Sequence, residues 1–367
     1  MKVAPRRTVA GLIRTSVPQV GRYGLLRLDK NERCTGYPTS LVRAMLKGLS
    51  GHHLAAYPES RLLYEKVAKW HGIGTAQLAM TSGSELAIRY LFEAFLESGD
   101  EVVLLNPSFA MFDVYARLCG ARVAAANFDR EWQVDEDEIL RRITSRTKLV
   151  ALANPNNPTG TVLEDAAILA VLRRAARHGA LVLVDEAYYH FYGKTMLMYL
   201  PQHDNLVVTR TFSKACGAAG IRLGYAIGHP DVIAALNKVQ PIDHLNVLAI
   251  KVGEYLIDHE QLMQDYVKKT RAGQRYLLAQ LKTLGLTALG GYGNFVLADL
   301  GRKHDAIVQA LRDHRIHVGA TLRLPFSSSF VRITAGPIPV MRRVAAVLRT
   351  VLKEQGVVAE SVMAGRR

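Results

Sequence analysis

Arg210-Thr211-Phe212-Ser213-Lys214-Ala215-Cys216-Gly217-Ala218-Ala219-Gly220-Ile221-Arg222-Leu223-Gly224 lies between two apolar runs, Leu206-Val207-Val208-Thr209 and Leu223-Gly224-Tyr225-Ala226-Ile227. The runs read as buried strands, which puts Lys214 in a glycine-rich connection rather than on a solvated helix face. Small neighbours from Gly217 to Gly220 leave room for a molecule to approach the amine. A lysine drawn out of water has a depressed pKa and becomes a nucleophile toward carbonyls. The hydroxyls of Thr211 and Ser213 and the cation of Arg222 suit a phosphate held beside it. Two readings of the stretch stand side by side: a lysine joined as a Schiff base to pyridoxal phosphate, or a solvated lysine on a surface loop.

Outward from this stretch, apolar runs alternate with amphipathic ones. Strands are predicted at 101–105, 121–126, 149–153, 181–184 and 206–209, with helices through 112–118, 136–143 and 164–178 between them. Such alternation implies an α/β fold with a mainly parallel sheet covered on both faces. Ligands of these sheets bind beyond the carboxyl ends of the strands. After Pro230 the chain turns helical at 245–257 and 261–284, then 290–298 reads as a strand entering a smaller α/β domain, with helices at 304–314 and 340–353.

Several strand ends carry residues suited to chemistry. Ser82-Gly83-Ser84 precedes a strongly periodic helix, where backbone N–H groups and the helix dipole favour a phosphate; by themselves the same residues read first as a plain Ser84 N-cap. Phe109, in Asn106-Pro107-Ser108-Phe109, is either a ring that stacks on a ligand or core packing. Asn154-Pro155-Asn156-Asn157-Pro158-Thr159-Gly160 is excluded from helix and sheet by its prolines and holds its side chains stiffly. Asp185 ends an apolar strand, where a carboxylate needs a partner such as a protonated pyridine nitrogen, a helix cap or a salt bridge. Arg332, alone among apolar neighbours in Phe330-Val331-Arg332-Ile333-Thr334, needs an anion, and a bidentate carboxylate fits its fork. Arg323 is a possible second anion contact. Tyr57-Pro58 by itself marks a turn.

Together these motifs resemble the class I/II aminotransferases of fold type I, most of all the histidinol-phosphate aminotransferase-like members. Their shared lysine motif is Ser/Thr-x-Ser-Lys-x-x-Gly-x-x-Gly-x-Arg-x-Gly. The spacing is in register: 28 residues from Asn157 to Asp185, 29 on to Lys214 and 8 more to Arg222. The resemblance runs from about Leu28 to about Gly336. It implies a seven-stranded sheet of the aspartate-aminotransferase type, with an arm at 1–27, a large cofactor-binding domain at 28–260 whose first part may join the small one, and a small domain at 261–367. It implies pyridoxal 5′-phosphate as cofactor, anchored on Lys214, which is also the catalytic base. Asp185 would hold the ring nitrogen, Asn157 and Tyr188 the ring oxygen, and Phe109 the ring face. Ser82, Gly83, Ser84, Thr211, Ser213, Arg222 and Tyr57 of a partner subunit would hold the phosphate, which makes the protein a homodimer. Asn31, in Leu28-Asp29-Lys30-Asn31-Glu32, with Asn157, Arg323 and Arg332, would contact an amino donor and a 2-oxo acid. Lys30, Arg33-Cys34 and Ala335-Gly336-Pro337 depart from the family pattern, all at the substrate end.

The formal charge of +15 comes from basic pairs such as Arg141-Arg142 and Lys268-Lys269 spread over helical segments. Solvated faces explain them without nucleic acid, although some excess could steer an anionic substrate. No apolar run reaches the length of a membrane span, and the start lacks the apolar stretch of a signal peptide. Three scattered cysteines and no metal-ligand spacing among twelve histidines indicate a reducing cytoplasm and no metal site. The rival enzyme reading is a decarboxylase of a phosphorylated amino acid, or another lyase or replacement reaction on the same scaffold. A cofactor-sensing regulator would need a DNA-binding domain, for which the 27 residues ahead of Leu28 are too few.

Overall fold

The structure, a computed structural model, describes residues 3–12, 21–322, 327 and 329–357. Seven strands, β1 (Leu78–Thr81), β2 (Glu101–Asn106), β3 (Arg122–Asn127), β4 (Thr147–Ala153), β5 (Leu181–Asp185), β6 (Leu206–Thr211) and β7 (Gly224–Gly228), form one sheet in the order β1-β7-β6-β5-β4-β2-β3. Strands β2 to β6 are parallel to their neighbours in that group, and β7 is antiparallel to both β1 and β6. Successive side chains bury on opposite faces: Val103 and Leu105 of β2 enter one core, Val102 and Leu104 the other. Burial on both sides is why these strands read as unbroken apolar runs. Helices Ala110–Leu118, Glu136–Arg142 and Asp165–Ala176 fill the crossovers where the alternation placed them.

The lysine stretch closes between adjacent antiparallel strands, with Thr211 opposite Gly224. Its base is therefore held by sheet hydrogen bonds while its middle projects from the strand ends.

A second body surrounds a three-stranded antiparallel sheet of Ala288–Gly290, Phe295–Asp299 and Phe330–Thr334, covered by the helix Ile338–Glu354. The 24-residue helix Glu260–Thr283 spans about 36 Å. It gives Met263 to the core of the large sheet and Leu277 and Leu281 to the smaller core, so it joins the two.

Two segments differ from expectation. The span 290–298 is not one strand: Ala288–Gly290 pairs back on Phe295–Asp299 across a glycine-rich turn. Three carbonyls there, those of Gly291, Gly293 and Phe295, accept from the Gln274 amide, and a Cβ on Gly291 would overlap the Gly160 backbone of the Asn-Pro loop. The turn thus docks small body onto large. The second segment is Leu26–Leu28, which forms a parallel strand with Ile316–Val318 and buries Leu28 in the smaller core. Three residues carry no period, and their partner lies far away in sequence, so local pattern could not reveal the pairing. No described helix is long and apolar enough to cross a membrane.

Candidate active site

A cavity of about 1360 Å3 opens beyond the carboxyl ends of the parallel strands. Lys214, half-buried on its wall, donates from Nζ to the Lys30 carbonyl at 2.8 Å. Burial lowers its pKa to about 8; the positive charges of Arg332 and Arg222 lower it further, and Glu32 and Asp185 oppose them. Such an amine is about one-tenth free base at pH 7 and about half at pH 8, a far larger nucleophilic fraction than an ordinary lysine offers.

Asp185 ends β5 and is buried, with Oδ1 accepting from the Thr209 hydroxyl at 2.9 Å. Burial pushes its carboxyl up to about 6, against the Thr209 hydroxyl, the Ala187 backbone and the charge of Lys214. Among the described residues it forms no ion pair. A cationic ring nitrogen in the cavity would satisfy it.

Arg332, Asn157, Asn31 and Tyr188 meet on one wall. The Arg332 guanidinium donates from Nη1 to Asn157 Oδ1 at 2.6 Å and from Nη2 to the Asp29 carbonyl at 2.9 Å, while its buried Nε has no partner among the described residues. Burial lowers its pKa, with Tyr188 and Asp29 opposing. The Asn31 amide donates to the Tyr188 hydroxyl at 2.8 Å. Asn31 itself sits at φ 55, fixed by its N–H donating to Thr334 Oγ1 and by Asn294 donating to its carbonyl. A positive φ in a non-glycine residue is held by such surroundings and recurs at functional sites.

The corner of the cavity around Arg222 is built by close approach. Gly83 caps the helix Ser84–Phe95 at φ +91, and a Cβ there would lie 2.5 Å from Arg222 Nη2. A Cβ on Gly224 would overlap the Ser84 backbone nitrogen. The guanidinium therefore rests against the first turn of a 12-residue helix, near its N–H groups and positive end. Arg222 is also within 3.5 Å of Ser213 Oγ. Thr211, Ser213 and Ser84 line the cavity with it, and Phe109 lines the wall, edge-on to Phe112 at 5.5 Å.

Other expected residues lie elsewhere. Ser82 directs its hydroxyl at the His244 carbonyl, 2.5 Å away, and neither it nor Gly83 lines the cavity. Tyr57 is 81% exposed and borders a separate cavity of about 560 Å3 with Leu62 and Ile250. Arg323 lies outside the described residues. Sequence reading missed the cluster Arg22, Asp29, Glu32 and Arg27, tied by contacts of 2.6–3.1 Å. It also missed the buried pair Arg210–Glu186 at 2.7 Å, in which Arg210 precedes Thr211 on β6 and Glu186 follows Asp185 just past the end of β5. The Asp-Glu dipeptide was a signal for Glu186, but nothing in the sequence names its partner.

A lysine on the β6–β7 connection, a buried carboxylate at the end of β5 and an arginine against a helix N-terminus fit pyridoxal phosphate at its amine-reactive, ring-nitrogen and phosphate ends. The fold and site define a pyridoxal-phosphate-dependent enzyme of the aspartate-aminotransferase type. Residues 23–348 match aminotransferase class I and II, and the chain belongs to that family, as a pyridoxal-phosphate-dependent transaminase. Histidinol-phosphate aminotransferase of Symbiobacterium thermophilum is 33% identical over 92% of this chain and 93% of its own. Among solved structures, histidinol-phosphate aminotransferase from Sinorhizobium meliloti in complex with pyridoxal-5′-phosphate superposes with a TM-score of 0.85 at 23% identity, covering 97% of this chain and 99% of that one. L-threonine-O-3-phosphate decarboxylase from Porphyromonas gingivalis shares the fold at a TM-score of 0.76 and 21% identity, over 89% and 98% of the chains.

Proposed function

We propose that this transaminase moves the amino group of an amino acid or amino-phosphate, of the histidinol phosphate kind, to a 2-oxo acid in amino-acid biosynthesis. The observation that carries the reading is Arg332, a half-buried arginine that lines the cavity also holding Lys214 and whose enclosed Nε is unsatisfied among the described residues. Pyridoxal phosphate, when bound, supplies an aldehyde that condenses with amines and a ring that accepts the electron pair of the Cα–H bond. Lys214 anchors it and, once the substrate amine has taken its place, moves a proton to and from substrate Cα. Asp185 keeps the ring nitrogen protonated, Asn157 and Tyr188 hold the ring oxygen, and Phe109 covers the ring face. Arg222, with Ser84, Thr211 and Ser213, holds phosphate, Gly83 lets Arg222 approach the helix start, and Arg332 and Asn31 orient the substrate's anionic end.

The site is completed by a second copy, whose Tyr57 reaches the phosphate. Tyr57, Leu54, Leu62 and Ile242 are 81%, 68%, 53% and 94% exposed, a large apolar area for one chain to leave in water. The protomer divides into an arm at 1–27, a large body at 28–260 and a smaller body at 261–367, with the strand Leu26–Leu28, at the junction of arm and large body, given to the smaller body. A cytoplasmic setting accords with three free cysteines. The test is an amine-donor screen of cofactor-loaded protein: a keto product with release of no carbon dioxide supports transfer over decarboxylation. Lys214→Ala is expected to abolish turnover, and near-normal turnover would end the assignment.

A further inference from the structure

The charged residues of the cavity do not balance once the cofactor and one substrate carboxylate have been accommodated, and this inference rests on the transaminase site just described. Arg22 and Arg27 are neutralised by Asp29 and Glu32. Arg117 is paired with Asp113. That leaves Arg222 for the phosphate and Arg332 for a substrate anion, and it still leaves Arg33 and Lys30 against one further carboxylate, Glu85, which accepts from the Tyr115 hydroxyl at 3.0 Å. Both line the cavity, and neither forms a salt bridge among the described residues.

Arg33 is not a loose surface side chain. Its guanidinium lies between the rings of Tyr37 and Tyr266, 4.4 and 4.3 Å from their centroids, and its Nε donates to the Thr35 carbonyl. A Cβ on Gly217 would come within 2.7 Å of Arg33 Cδ, so the stem lies against the lysine loop three residues past Lys214. Tyr37 is tied to the same loop through its hydroxyl, which donates to the Cys216 carbonyl. Lys30 is held nearby by its carbonyl, the acceptor for Lys214 Nζ. Stacking on aromatic faces orients a guanidinium while leaving its edge N–H groups for an anion.

We propose that Arg33, assisted by Lys30, binds a second oxyanion at the far end of the substrate, so that the preferred amines carry a terminal carboxylate or phosphate beyond the group held by Arg332. Departure from the family pattern at these two positions then has a use: a cation pair set beside the lysine to select for charge.

The test uses the cofactor-loaded protein and Arg33→Met, which keeps an apolar stem against Gly217 and between the two rings. Catalytic efficiency is measured for two matched pairs whose members all carry an α-carboxylate for Arg332, glutamate against glutamine and O-phosphothreonine against threonine. The ratio of charged to uncharged donor is expected to fall ~10- to 100-fold, as loss of a charge-assisted contact implies. Arg33→Lys should recover part of it. Binding of glutarate, which has two carboxylates and no amine, should weaken by a like factor relative to butyrate, an effect on recognition that does not depend on turnover. A fall in the glutamate pair identifies a distal carboxylate, and a fall in the threonine pair identifies a phosphate. An unchanged ratio, or equal loss with both members of each pair, overturns the role of Arg33 and leaves the transaminase standing. A parent protein that forms no keto product from any donor overturns the underlying reading and this proposal with it.

Discussion

Replacing Asp185 by asparagine should destroy activity and yet make the cofactor-free protein more stable at neutral pH. The carboxyl titrates near 3.8 in an unfolded chain and at about 6 in the folded one, because burial disfavours its charged form. Between those pH values the folded state holds the proton that the unfolded state has released, so stability falls as pH rises. The displacement of about two pH units, at about 1.4 kcal/mol each, amounts to about 3 kcal/mol by pH 7. Asparagine is close to isosteric, can still accept from Thr209 and carries no charge to bury. The advantage of Asp185→Asn should therefore be near zero at pH 4, grow through the window from 4 to 6, and level off above it. Denaturant unfolding of both proteins after cofactor removal, at a series of pH values, measures it. Reloading the parent with pyridoxal phosphate should shrink the difference, since the ring nitrogen gives Asp185 its partner. An advantage that does not change with pH, or a variant less stable than the parent at pH 7, would refute the account of Asp185 as a carboxylate held ready for a cation.

Gly83→Ala places a Cβ 2.5 Å from Arg222 Nη2 at a φ of +91, so cofactor affinity should drop by about 10-fold or more, read from dissociation constants by absorbance titration; undiminished affinity would remove Gly83 and Arg222 from the phosphate corner. Glu186→Gln leaves the Arg210 guanidinium buried without the carboxylate that now accepts from Nε at 3.0 Å and Nη2 at 2.7 Å, and unfolding free energy should fall by ~3–5 kcal/mol; a loss under ~1 kcal/mol would show the pair to be dispensable.

What the chain alone determined follows from short-range chemistry. Apolar runs at 101–105, 149–153 and 181–184 meant strands buried on both faces, and the turn residues at their ends marked where a ligand would lie. Lys214, Asp185, Asn157 and Arg222 were legible because each sits in a contiguous motif whose residue types suit one group of a cofactor. The substrate end was not legible in that way. Arg332 reaches Asn157 across 175 residues, Asn31 reaches Tyr188 across 157, and Lys214 rests on a carbonyl 184 residues earlier. Arg33 is aligned only because Tyr266, on a distant helix, supplies its second ring. Pairings of that kind arise when the two bodies close on each other, a consequence of packing that no local period encodes. Residue types suited to the cofactor were thus written in the sequence, while which distant charges stand unpaired around them is decided only when the fold closes.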